Sequence, residues 1–128
     1  MTLSPKQGRA ATILVVDDDA LITLNMVDQL TDFGHTALEA YSGREALGIL
    51  ETRDDIAMLI SDFSMPGMNG VELVEAALKL HPGLIVLLTT GYAELPDGLG
   101  STLPRLEKPF REDQLQARID ELLAKEAS

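Results

Sequence analysis

A doubly wound α/β sandwich, with helices on both faces of a parallel sheet, is the fold this sequence predicts. Three observations carry the prediction. Short, β-rich apolar runs alternate with stretches of helical spacing along the whole chain. The clearest runs are continuous rather than alternating, as in strands covered on both faces. Polar residues able to do chemistry gather where the runs end, which is where such sheets bind ligands.

The first run is Ile13-Leu14-Val15-Val16, a strand. Helical spacing follows, with Leu21, Leu24, Val27 (or Met26), Leu30 and Phe33 on one apolar stripe that Gly34 stops. A weak second strand covers about His35–Ala40. Ser42-Gly43-Arg44-Glu45 has the spacing of a capping box and opens a helix through Ala46, Leu47 and Leu50. Ala57-Met58-Leu59-Ile60-Ser61 is the third strand, followed by a loop and a helix from about Val71 to Leu80. His81-Pro82-Gly83 ends that helix, because proline disfavours the α conformation at the residue before it. Leu84–Leu88 is the fourth strand and Arg105–Glu107 a short fifth. An amphipathic helix with Leu115, Ile119, Leu122 and Leu123 closes the chain.

Composition narrows the function before any motif is read. A chain of 128 residues is one domain by length, and such a domain buries roughly 65–70% of its unfolded surface. We expect a flexible tail over 1–11 and the domain over 12–126. With 45% hydrophobic residues there is material for a core, and with no Cys there is no disulfide, zinc–thiolate or thiol chemistry. The longest apolar runs, Ile56–Ile60 and Leu84–Leu88, are too short to span a bilayer, and no apolar stretch follows Lys6 and Arg9 to serve as a secretion signal. A soluble, cytoplasmic protein without a membrane partner is expected. Ten Lys and Arg against 21 Asp and Glu give −11, which opposes a nucleic-acid partner, since phosphate neutralisation needs clustered cations.

The strand ends carry the chemistry. Strand one ends in Asp17-Asp18-Asp19, strand three in Ser61-Asp62, strand four in Thr89-Thr90-Gly91 and strand five in Lys108-Pro109. In a doubly wound sheet these termini share one edge. Asp17, Asp18 and Asp62 sum to −3 and Lys108 adds +1, leaving −2. Two like charges about 4 Å apart repel by roughly 1–4 kcal/mol at dielectrics between 80 and 20, so a divalent cation would relieve the cluster. Hard carboxylate oxygens with no His or Cys beside them favour Mg²⁺. A metal and a lysine facing one carboxylate suit phosphoryl transfer, with Asp62 as nucleophile forming an acyl phosphate.

Ile13-Leu14-Val15-Val16-Asp17-Asp18, then Asp62-Phe63-Ser64-Met65-Pro66-Gly67-Met68-Asn69-Gly70, then Thr90-Gly91, then Lys108-Pro109-Phe110 together resemble the bacterial response-regulator receiver family, in order and over essentially Thr12 to Lys125. The resemblance implies a flavodoxin-like (βα)5 three-layer sandwich of the chemotaxis-receiver kind, with parallel strand order 2-1-3-4-5. It implies that Asp62 is the phosphoacceptor, that Asp17 and Asp18 hold Mg²⁺ directly or through water, and that Ser64 gives its backbone carbonyl to the metal. Thr90 would bond the phosphoryl group, with Thr89 a near competitor; Thr90 directly precedes Gly91, which matches the small residue usual there. Lys108 would pair with a phosphoryl oxygen, through a cis Lys108–Pro109 bond. Ser64 and Tyr92 match positions that tune phosphoryl lifetime. The implied partners are a histidine kinase or histidine phosphotransfer protein as donor and a downstream protein target. The module would turn over only its own phosphorylation and dephosphorylation. With no effector domain before the chain stops at Ser128, output through protein contact is expected, from a free-standing regulator or a receiver of a hybrid kinase.

Two departures from the family stand out. Pro96, Gly98, Gly100 and Pro104 oppose a full fourth helix between Tyr92 and Pro104, since glycine costs about 1 and proline about 3 kcal/mol in a helix. A shortened or irregular turn, or a mobile loop reading the phosphorylated state, is expected there. Arg105 stands where the family commonly has an aromatic switch residue.

Blander readings apply elsewhere. Asp19 is a helix cap, His35 and His81 are surface or helix-end histidines, the methionines fill core, and Met65-Pro66-Gly67 with Gly70 shape the turn. Two rival functions remain: a haloacid-dehalogenase-like Mg²⁺ phosphatase using Asp17 and Asp19, and a pseudo-receiver that only binds partners.

Overall fold

Where the sequence alternates between strand and helix, so does the structure. The computed structural model describes residues 10–91 and 103–127, with the side chains of 126 and 127 excepted. The elements are β1 (Thr12–Val16), α1 (Ala20–Asp32), β2 (Thr36–Ala40), α2 (Gly43–Thr52), β3 (Met58–Asp62), α3 (Gly70–Leu80), β4 (Ile85–Thr90), β5 (Arg105–Glu107) and α4 (Glu112–Ala127). All neighbouring strands are parallel, in the order β2-β1-β3-β4-β5, as expected. The expectations for 1–9, for Tyr92 and for the fourth helix and switching loop up to residue 102 lie outside the described residues.

Pleating divides the strand residues between two apolar layers. Leu14, Val16, Leu59 and Leu88 pack against Ala46 and Leu50 of α2 and Leu73, Val74 and Ala77 of α3. Ile13, Val15, Met58, Ile60 and Leu87 face the opposite way, onto Met26 and Leu30 of α1 and Leu115 and Ile119 of α4. Both faces being covered explains why the strands read as unbroken apolar runs.

Helix ends follow from local chemistry. Asp19 caps α1 through its Oδ1, which accepts from Leu21 N and Ile22 N. At the other end Gly34 takes φ +98°, and its N–H and that of His35 donate to Thr31 O and Leu30 O, the arrangement that only a left-handed residue permits. The Ser42 box is half made: Ser42 Oγ accepts from Glu45 N, but Glu45 Oε1 accepts from Tyr41 N rather than from Ser42. A complete capping box sits instead at Asn69 and Glu72, opening α3 directly after the loop that leaves Asp62.

Several expectations need correction. The α1 stripe is rotated: Thr23, Met26 and Leu30 are buried, whereas Leu21 is 67% and Leu24 50% exposed. An apolar-only reading misses this because the innermost residue near the start of the helix is a threonine whose hydroxyl is satisfied by backbone. His35 is not on the surface but 5% exposed, and its Nδ1 accepts from Ala11 N at 3.1 Å. His81 does sit at a helix end, where its Nε2–H donates to Leu50 O. Met65 is buried with Met26 and Met58, so it fills core rather than only shaping the turn. β3 runs one residue further than expected, to Asp62 itself, and β4 two further, to Thr90.

Candidate functional site

Three strands deliver one acid or base each to the same rim. Ile13 and Val15 of β1, Met58 and Ile60 of β3 and Leu106 of β5 share one apolar layer, and continuing each strand's alternation by two residues gives Asp17, Asp62 and Lys108. The β1–β3 register pairs Val16 with Ser61, so Asp17 and Asp62 emerge side by side. Lys108, just past β5, reaches back under the lip of the sheet. Its Nζ lies 2.7 Å from Asp62 Oδ1 and 3.5 Å from Asp17 Oδ2.

Asp17, Asp18 and Asp62 each offer a carboxylate oxygen within 4.8 Å of the other two. Asp17 and Asp62 are each 5% exposed, while Asp18 is open to solvent. The loop is tied down locally: Asp19 N–H donates to Asp17 Oδ1 at 2.9 Å. Burial raises the Asp17 carboxyl above its usual range, helped by the neighbouring Asp18 charge and opposed by the Asp19 N–H and by Lys108. For Lys108, burial pulls downward, but the Asp62 hydrogen bond and the Asp62 and Asp17 charges outweigh it, so its ammonium titrates above the usual lysine value.

The remaining residues named from sequence occupy the same end of the sheet in different ways. The β3–β4 register sets Thr89 opposite Asp62, with Thr89 O accepting from Phe63 N. Thr90 is one step nearer the rim, between Asp62 and the fifth strand, and its carbonyl accepts the Lys108 N–H at 2.7 Å. Both threonines are buried. Ser64 lies exposed in the loop after Asp62, and the Lys108–Pro109 bond is cis. Asp17, Asp18 and Asp62 are thus brought together, with Lys108 against Asp17 and Asp62, Thr90 at the neighbouring strand end and Ser64 on the adjoining loop.

The donor set fits a hard divalent ion. Octahedral Mg²⁺, with Mg–O of 2.0–2.1 Å, holds its oxygens about 2.9 Å apart in cis and about 4.2 Å apart in trans. The three carboxylate oxygens lie within 4.8 Å of one another, a bound a little above the trans distance, their net charge with Lys108 is negative, and Asp18 is open to water. Asp19 is not in the set; its Oδ1 caps α1.

Three residues shape this site in ways the sequence does not show. Thr23 donates from α1 to the backbone beneath the acid loop. Ser61 Oγ lies 3.0 Å from Asp62 O. Gly70 approaches the end of β3 so closely that a Cβ there would meet Asp62 O at 2.5 Å. Only the glycine carried a signal in the sequence, as a turn residue.

A family model described as the response regulator receiver domain matches residues 13–120. The sensor kinase CckA of Brucella abortus is 36% identical over 124 residues, covering 91% of this chain but only 13% of the kinase. A chemotaxis protein CheY homolog of Campylobacter jejuni is 36% identical over 118 residues, covering 87% of this chain and 91% of that protein. Among solved structures, a response regulator receiver domain protein from Clostridium thermocellum superposes with a TM-score of 0.85 at 27% identity, covering 91% of this chain and 97% of that one.

Proposed function

The chain belongs to the response-regulator receiver family of two-component signalling, and from that premise we propose that Asp62 accepts a phosphoryl group from a phosphohistidine donor with Mg²⁺ held by Asp17, Asp18 and Asp62. The observation that carries this reading is the clustering of three carboxylate oxygens within 4.8 Å of one another, with Lys108 Nζ 2.7 Å from the proposed acceptor.

In the proposed transfer, a carboxylate oxygen of Asp62 forms a bond to phosphorus as the phosphorus–nitrogen bond to the donor's imidazole breaks. The electron pair of that bond stays on the imidazole nitrogen, which then takes up a proton, and Asp62 becomes an acyl phosphate. Bound Mg²⁺ supplies charge neutralisation for the phosphoryl oxygens. Lys108 follows the charge: its ammonium, now on Asp62 Oδ1, is positioned to pair with a phosphoryl oxygen once that carboxylate is esterified. Thr90, at the end of β4, is the proposed hydroxyl donor to the phosphoryl group, and the Ser64 carbonyl the proposed backbone ligand. Burial of Asp17 and Asp62 strengthens the interactions those two carboxylates make.

The donor would be a histidine kinase or histidine phosphotransfer protein, and the reader a downstream protein target. Phosphorylation exchanges one carboxylate charge for about −1.5 to −2 on the phosphoryl group, the change a target would read. The phosphatase alternative is not favoured: the family model that matches is the receiver's, and the clustered carboxylates are Asp17, Asp18 and Asp62 rather than Asp17 and Asp19. Among the described residues no helix is long and apolar enough to cross a membrane.

Treatment with acetyl phosphate and Mg²⁺, read by intact mass, tests the proposal. One phosphoryl adduct is expected, absent in Asp62→Asn and absent when the metal is chelated. Persistence of the adduct in Asp62→Asn would overturn it.

A further inference from the structure

The acids proposed to hold the ion stand on a short loop between β1 and α1, and one residue beneath the loop grips it twice. Thr23 is fully buried, at 0% exposure. Its Oγ1 lies 3.0 Å from Asp19 O and 3.0 Å from Asp17 O, two carbonyls that share its single O–H proton in a bifurcated bond. The first contact is the ordinary back-bond of a helical threonine to the carbonyl four residues earlier. The second is different in kind: it passes beyond the Asp19 cap to the residue that follows β1.

That reach matters because of what the Asp17 carbonyl belongs to. It shares a peptide plane with the Asp18 amide, so holding the oxygen fixes the plane from which both carboxylates depart. The next plane carries the Asp19 N–H, which donates to Asp17 Oδ1 at 2.9 Å. Asp18 contributes an exposed carboxylate yet sits between two immobilised peptide planes. The Thr23 hydroxyl is the link between this pair of planes and the packed body of α1.

We propose that Thr23 is a positioning residue for the divalent cation, its hydroxyl clamping the Asp17 and Asp19 carbonyls and thereby setting the aim of the Asp17 and Asp18 carboxylates. The inference rests on the metal reading given above. It assigns Thr23 no contact with the ion. Groups behind the ligands commonly govern metal affinity by about 10–100-fold, because an unheld ligand must be ordered when the ion binds.

The experiment uses the full chain and Mn²⁺ as the probe. Thr23→Val keeps the side-chain shape and removes the hydroxyl, whereas Thr23→Ser keeps the hydroxyl. The dissociation constant for Mn²⁺ is expected to rise about 10-fold in Thr23→Val and to stay near wild type in Thr23→Ser. Without metal, hydrogen exchange at the Asp19 amide is expected to quicken in Thr23→Val alone. Acetyl phosphate labelling of Asp62 at saturating Mg²⁺ should remain close to wild type, separating ion positioning from chemistry. Equal Mn²⁺ affinity in folded Thr23→Val and wild type, or equal weakening in both variants, would overturn the proposal. Should Thr23→Val melt below the assay temperature, Thr23→Cys supplies the test: its weak S–H donor predicts an intermediate affinity, and wild-type affinity would overturn the clamp. Failure of the wild-type chain itself to bind Mn²⁺ would remove the metal reading instead, a result distinct from any difference among variants.

Discussion

Lys108 Nζ meets Asp62 Oδ1 at 2.7 Å although 46 residues separate them in sequence. The pair spans β3 and the end of β5, with β4 between, so it exists only when these three strands are assembled. The same ammonium lies 3.5 Å from Asp17 Oδ2, so one cation faces two buried carboxylates.

Removing that cation should move two properties in opposite directions. In Lys108→Met the acid cluster loses its counter-charge, so Mn²⁺ should bind several-fold more tightly, a unit charge at 4 Å being worth about 1 kcal/mol in water. Asp62 labelling by acetyl phosphate should meanwhile fall by roughly 100-fold, the usual loss for one electrostatic stabiliser of a transferring group. Calorimetric binding and mass-detected labelling rates check the pair of signs. Parallel changes in both would contradict the role given to Lys108.

Gly70 and Gly48 should respond oppositely to alanine. A Cβ on Gly70 would meet Asp62 O at 2.5 Å, Leu88 Cδ2 at 2.8 Å and Phe63 Cα at 2.9 Å, two of them backbone atoms. Gly70→Ala should cost about 1–3 kcal/mol by overpacking and slow Asp62 labelling as β3 shifts. Gly48 lies exposed inside α2 with nothing within 4 Å of its would-be Cβ, so Gly48→Ala should add about 0.5–1 kcal/mol. Urea unfolding of the two variants measures both.

Buried His35 predicts an acid-sensitive fold. Burial lowers its pKa below the ordinary 6.5, and the Asp120 charge only partly offsets this. Below that ordinary value the unfolded chain takes up a proton that the folded chain resists. The stabilisation is therefore fully present above pH 6.5 and is lost as pH falls toward the depressed folded value. Protonation at Nδ1 would also break the bond from Ala11 N. Urea midpoints should fall between about pH 7 and pH 5 in the wild type and fall less in His35→Gln. A wild-type midpoint that stays level over this range would refute the assignment.

Asn69 closes the loop that leaves Asp62 by capping α3. Asn69→Ala removes the acceptor for Glu72 N and should cost about 1 kcal/mol. The thermal midpoint reports this, with Asn69→Asp expected to restore most of the loss.

The centre of the sheet was legible because β1, β3 and β4 are buried on both faces, which leaves apolar runs up to the rim, whereas β2 and β5, at the edges, carry Glu39, Arg105 and Glu107 and read weakly. Site residues stood out for the same reason: Asp17 and Asp62 interrupt apolar sequence at points that only a strand end accommodates. What remained hidden depends on side chains meeting backbone. Thr23 carries no apolar signal, so apolar spacing draws the start of the α1 stripe through Leu21 and Leu24, which face solvent. His35 reads as polar in sequence, and only the approach of Ala11 N explains its burial. The capping box at Asn69 lay inside a stretch already assigned to a turn, and the one expected at Ser42 forms with its glutamate displaced to Tyr41 N.

Paramagnetic broadening by substoichiometric Mn²⁺, read residue by residue in the amide NMR spectrum, tests most directly whether separate strand ends form one ion site. Signals from Asp17, Asp18, Phe63 and Lys108 should fade together while those of Lys79 and Leu80, at the far end of α3, persist. Broadening centred on another acidic surface, such as Asp113 and Asp120 of α4, or spread evenly over the chain, would contradict the account.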